Sequence, residues 1–91
     1  MKKRVHLFIS GRVQGVCFRM EMEIRANRLK VPGFIRNLED NRVEAVLEGD
    51  EEKVDKLVTW AKRGPMFAKV TDIQVIEEEP TEEFNKFKII Y

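Results

Sequence analysis

Two helical segments, each apolar along a single stripe, are separated by segments that alternate between apolar and polar residues. In the second helical segment Val54, Leu57, Val58 and Ala61 stand at i, i+3, i+4 and i+7, the spacing that puts all four side chains on one helix face. In the first, Phe18, Met22, Ala26 and Leu29 recur at intervals of four, four and three. The alternating segments read as strands with one side turned inward: Val5, Leu7 and Ile9; Val43, Ala45 and Leu47; Thr71, Ile73 and Val75; Phe87, Ile89 and Tyr91. One more, Phe34 to Leu38, is joined to Arg42–Glu48 through Glu39-Asp40-Asn41, a turn-forming trio that makes the two a hairpin.

Punctuation agrees with this order. Pro32-Gly33 ends the first helix, because Pro lacks an amide donor and disfavours helical geometry in the residue before it. Asp50 is an expected N-cap for the second helix, Lys62 and Arg63 complement its C-terminal dipole, and Gly64-Pro65 terminates it. The resulting string is β-α-β-β-α-β-β. Two helices with one apolar stripe each must bury those stripes together, on the same face of a sheet. The expected fold is α+β, a ferredoxin-like sandwich with both helices packed on one face of a four- or five-stranded antiparallel sheet.

Val, Ile, Leu and Phe supply 28 of the 91 residues, enough to exclude a disordered chain and to fill one core, so a single domain over residues 1–91 is expected. A net charge of +1 provides no general attraction to nucleic acid or to an anionic membrane. The lone Cys17 has no internal disulfide partner, and no Cys/His grouping has metal-ligand spacing. The first apolar run stops at Ile9, too short for a signal peptide, and no stretch approaches a membrane span. These features predict a cytoplasmic protein without a membrane partner. The absence of an exposed apolar stripe in the pattern predicts a monomer.

The stretch most able to carry chemistry is GRVQGVCFR, residues 11–19, between the first strand and the first helix. Gly11 and Gly15 admit backbone conformations closed to other residues, so successive amides can turn towards one point. At a helix N-terminus such a set of N–H groups binds anions. Arg19 follows in the first helical turn, where its planar fork can grip two oxygens of a phosphoryl group. The stretch is neither GxGxxG nor GxxxxGK[ST]. It also lacks the spacing of cysteine phosphatases, since only Phe18 separates Cys17 from Arg19.

GRVQGVCFR resembles the phosphate-binding loop of the acylphosphatase family. Three later stretches resemble that family in order and spacing: GFIRN (33–37), RVEAVLEGD (42–50) and RGPMFAKV (63–70), and the terminal Phe87–Tyr91 is similar to its closing strand. The resemblance implies hydrolysis of the carboxyl-phosphate anhydride of a small acyl phosphate, with no cofactor and no metal. It implies that Arg19 binds the phosphoryl oxygens and that Asn37 positions the attacking water. The loop amides of Gln14, Gly15, Val16, Cys17 and Phe18 would complete the cradle. A carboxylate leaves readily, so such a site needs positioning and charge stabilisation more than acid catalysis. Asn37 is a neutral amide and can orient water without acting as a base.

Other readings are weaker. His6 lies inside a strand and reads as structural, Cys17 as an incidental side chain, and Arg12 and Arg36 as solvated charge. The same domain occurs within larger proteins as an anion-binding module; a chain ending at Tyr91 favours the free-standing enzyme. An RNA-binding role would require exposed aromatics and a basic face on the central strands, which Arg42–Glu48 does not supply.

Overall fold

The computed structural model describes residues 1–91. Strands β1 (Lys2–Arg12), β2 (Gly33–Asn37), β3 (Val43–Asp50), β4 (Lys69–Glu78) and β5 (Phe87–Ile89) are interleaved with helices α1 (Phe18–Leu29) and α2 (Glu51–Arg63). They form one sheet in the order β4-β1-β3-β2-β5. Alternation along the strands decides what each face does. Val5, Leu7 and Ile9 of β1, Ile35 of β2, and Val43, Ala45 and Leu47 of β3 are fully buried beneath the two helices. They meet Phe18, Met22 and Ala26 of α1 and Val54, Leu57, Val58 and Ala61 of α2 in one core. Trp60 joins that core by tilting against Phe18 with 5.3 Å between ring centroids. None of the helices is long and apolar enough to cross a membrane.

The hairpin forms as its turn residues dictate. The Asn41 amide donates to the Leu38 carbonyl at 3.2 Å, and Asn41 takes φ 74°, a left-handed conformation that Asn tolerates. The Asp40 carboxylate accepts from the backbone amide of Arg42 at 3.1 Å and from its guanidinium at 2.8 Å.

Three expectations are corrected by the fold. The sheet is mixed: β1–β3, β1–β4 and β2–β3 are antiparallel, whereas β5 runs parallel to β2. The chain leaves β4 at the end of the sheet where β2 starts, crosses that end through residues 79–86, and enters the opposite edge in the direction of β2. Thr71 does not share the inner face with Ile73, because the β1–β4 register shifts between Ser10 and Gly11. That bulge turns Val70 inward against the core in its place. Asp50 precedes α2, yet its side chain makes no capping hydrogen bond; the first amide of the helix, Glu51, donates instead to the Met1 carbonyl at 2.9 Å.

The face away from the helices carries charge. Glu48 is only 3% exposed, and its carboxylate accepts from the amides of Thr81 and Glu82 at 3.2 and 2.6 Å and from Arg4 at 3.2 Å. Arg4 also donates to Glu78 at 2.9 Å and to Glu83 at 2.7 Å. This cluster holds the 79–86 crossing against the sheet and so fixes where β5 begins. Burial disfavours ionisation of Glu48, but the two amides and the guanidinium outweigh it and keep the carboxyl below the ordinary range.

Candidate active site

β1 carries the chain to one end of the sheet, and α1 starts back from that end. The connection is anchored by Val13 before it and Phe18 after it, both 1% exposed. Gly15 (φ 74°) and Cys17 (φ 66°) are both left-handed, which turns the backbone back on itself within three residues. The amides from Gln14 to Cys17 donate to no acceptor in the protein. The first-turn amides of α1 lack intrahelical acceptors by geometry. A short run of free donors therefore continues into the positive end of a helix dipole, an arrangement suited to a compact anion. Gly11 plays a different part from the one expected. Its φ is 120° and a Cβ there would come within 2.1 Å of the Lys69 carbonyl oxygen, so it serves the β1–β4 bulge and not the loop.

Arg19 is half-buried in the first turn of α1, forms no ion pair with any carboxylate and lies over the Tyr91 ring, 5.2 Å from its centroid. Its charge is thus held in place without being neutralised, in contrast to Arg4, Arg36 and Arg42, which all pair with carboxylates. Gly15, Cys17, Phe18 and Arg19 border a cavity of about 130 Å³. Gln14, Val16 and Asn37 lie outside its lining.

Asn37 is the last residue of β2, paired in register with Val43. Its Oδ1 is the buried side-chain polar atom that has no hydrogen-bond partner, a costly state unless another molecule supplies a donor. What ties this strand end to the loop is a contact the sequence reading missed. The Gln14 side-chain amide donates to the carbonyls of Leu38 and Arg42, each at 2.9 Å. The resemblance implies a role for the Gln14 backbone amide; its side chain staples the loop to the turn that follows Asn37. A polar residue with a two-donor amide, flanked by Val13 and Gly15, was the only available signal.

The remaining titratable candidates lie elsewhere. His6 is on the open face of the sheet, with Nε2 2.6 Å from Glu44 and Nδ1 3.1 Å from Glu78. Arg36 donates to the same Glu44 and so is a paired charge, not merely a solvated one. Burial opposes ionisation of Glu44, but Arg36 and His6 hold its carboxyl below the ordinary range. Cys17 is exposed and its side chain caps nothing.

The family model described as Acylphosphatase matches residues 5–89. The acylphosphatase of Methylococcus capsulatus is 48% identical over 97% of this chain and 96% of its own. That of Thermococcus kodakarensis is 52% identical over 96% and 94%. The crystal structure of acylphosphatase from Bacillus subtilis superposes with a TM-score of 0.93 at 38% identity, covering 100% of both chains. With a family model matched over residues 5–89 and relatives about half identical over nearly the whole chain, the chain belongs to the acylphosphatase family.

Proposed function

We propose that the chain hydrolyses acyl phosphates to a carboxylate and inorganic phosphate, by direct attack of a water oriented by Asn37 on a phosphoryl group held by the loop and Arg19. The amides of Gly15, Val16, Cys17 and Phe18, with the Gln14 amide at the edge, donate to the equatorial oxygens. The Arg19 guanidinium binds two of them and stabilises the charge that the transition state spreads over the group. Water approaches opposite the acyl oxygen. The oxygen–phosphorus bond to the carboxylate breaks as the bond to water forms, and the water's proton passes to a phosphate oxygen or to solvent. The Asn37 amide holds that water in line and exchanges no proton itself.

The observation that carries this reading is the buried, unpartnered Oδ1 of Asn37 at the strand end stapled to the anion loop. An attacking water would supply the donor that Oδ1 lacks. We further place the chain in the cytoplasm, supported by a single free thiol and no disulfide, and read residues 1–91 as one monomeric domain, supported by one shared core.

The test is hydrolysis of benzoyl phosphate in the presence of a chelator. Arg19→Ala lowers kcat/KM by about a hundredfold or more and weakens inhibition by inorganic phosphate. Asn37→Ala lowers kcat by a similar factor while phosphate inhibition is retained, because the water and not the phosphoryl group loses its partner. An inactive wild type, or full activity in both folded variants, overturns the proposal.

A further inference from the structure

We propose that the groove between α1 and α2 is a second anion site, separate from the β1–α1 loop, and that it reads a short chain of linked phosphates. β1 and β3 are antiparallel; α1 follows the first and α2 the second, so the two helices cross the sheet in opposite directions. Glu21, Arg25 and Arg28 stand at i, i+4 and i+7 on α1, and Lys56, Trp60 and Arg63 at i, i+4 and i+7 on α2, each set on one helix face. The opposed rows are Arg28 with Lys56, Arg25 with Trp60, and Glu21 with Arg63. They border two cavities of about 250 and 450 Å³ that share Arg25 and Trp60 as a common wall. Seven residues at 1.5 Å each make the groove about 10 Å long.

Its charge is one-sided. Four cations and one carboxylate border the groove, in a chain whose net charge is only +1. Arg28, Lys56 and Arg63 form no ion pair. Glu21 stays 3.7 Å from Arg25, beyond hydrogen-bond reach, and Glu52 and Asp55 border a different hollow with Lys56. Arg25 lies over the Trp60 ring, 4.8 Å from its centroid, so the indole holds the guanidinium in place without neutralising it. Guanidinium forks take phosphate oxygens in pairs, and neighbouring like charges repel one another until an anion joins them. None of these residues borders the cavity beside Arg19. A nucleic-acid strand is a poorer fit, because it requires an extended basic track and open ring faces for its bases. Trp60 is only 8% exposed beneath Arg25.

The experiment titrates sodium tripolyphosphate, orthophosphate and ATP by calorimetry, at low salt and in a chelator. It also follows the emission of Trp60, the single tryptophan of the chain. Tripolyphosphate binds the wild type at least about tenfold more tightly than orthophosphate and changes Trp60 emission, because it spans more of the cations. Arg28→Gln/Lys56→Gln keeps its fold, since neither replaced side chain is paired, and loses about tenfold or more of the tripolyphosphate affinity. Arg19→Ala retains that affinity. ATP binds no more tightly than tripolyphosphate, because only the phosphate chain is read. Unchanged affinity in Arg28→Gln/Lys56→Gln, or its loss in Arg19→Ala, overturns the groove as the site. An ATP affinity about tenfold higher overturns reading of the phosphate chain alone. A single-stranded oligonucleotide bound more tightly than tripolyphosphate, with the same dependence on Arg28 and Lys56, overturns the ligand class.

Discussion

The Gln14 side-chain amide and the Leu38 carbonyl are joined at 2.9 Å across 24 residues of sequence. A second bond from the same nitrogen reaches Arg42. One side chain therefore sets the distance between the loop proposed to bind phosphate and the strand end that carries Asn37. Gln14→Ala removes both bonds and is expected to lower stability by about 1–3 kcal/mol. It lowers kcat by at least about tenfold, through misplacement of Asn37 against the loop. Gln14→Glu is worse at neutral pH, because a carboxylate of the same shape faces two carbonyl oxygens with nothing to donate. Denaturant unfolding together with initial rates checks both; a Glu variant as active as the wild type would show that the staple does not position the site.

Two glycines in one stretch of sequence separate stability from binding. Gly11→Ala drives a Cβ to 2.1 Å from the Lys69 carbonyl oxygen, and neither partner strand can withdraw without breaking the β1–β4 ladder. The variant is expected to lose several kcal/mol, about 3 or more, or not to fold. Gly15→Ala meets no atom within 4 Å and bears only the cost of a left-handed alanine, about 1–2 kcal/mol. Its fold persists, but the loop relaxes away from its left-handed geometry and the Tm increase on adding phosphate shrinks. The thermal melts with and without phosphate distinguish the two cases.

Acid stability is governed by the open face. Burial opposes the charge on Glu48, yet the Glu82 and Thr81 amides and Arg4 keep its folded pKa below the ordinary 4.5. Glu44, Glu78, Glu83 and Asp40 are shifted in the same direction. Between the folded and unfolded values the unfolded chain binds more protons, so the stabilisation is complete above about pH 4.5 and is lost as pH falls through the folded values. Unfolding free energy should stay level from neutral pH down to that point and decline below it. Glu48→Gln lowers stability at pH 7 and makes the acid decline shallower. Urea titrations between pH 7 and pH 2.5 provide the check, and a stability level down to pH 3 would contradict it.

His6 is the single imidazole of the chain, and it lies between Glu44 and Glu78 on the face opposite the helices. A mechanism without an enzymic base predicts that His6→Gln leaves the pH dependence of kcat unchanged, even though Glu44 and Glu78 lose a partner and the Tm falls. Loss of an acid or alkaline limb in that variant would assign the histidine to proton transfer.

Much of this architecture is written in local patterns. The stripes of α1 and α2, the alternation in β1 and β3, and the 38–41 turn with left-handed Asn41 depend on residues within a turn or two of one another, so spacing and turn chemistry suffice to read them. Arg19 was legible from its place in the first helical turn behind a glycine-punctuated loop, whereas Asn37 was legible only through the likeness of GFIRN to the acylphosphatase family. The parallel entry of β5, the bulge that substitutes Val70 for Thr71, the Gln14 staple and the Arg4–Glu48 cluster leave no such trace. Each depends on which strand ends meet after the chain has crossed the sheet, and a side chain's partner across 24 or 44 residues is set by register and not by periodicity. Composition and spacing thus determined the elements and the anion loop with Arg19, and the family resemblance added Asn37. Packing alone decided how the loop and the end of β2 were brought to a common distance, since burial rewards only the one registration in which both faces of the sheet are satisfied.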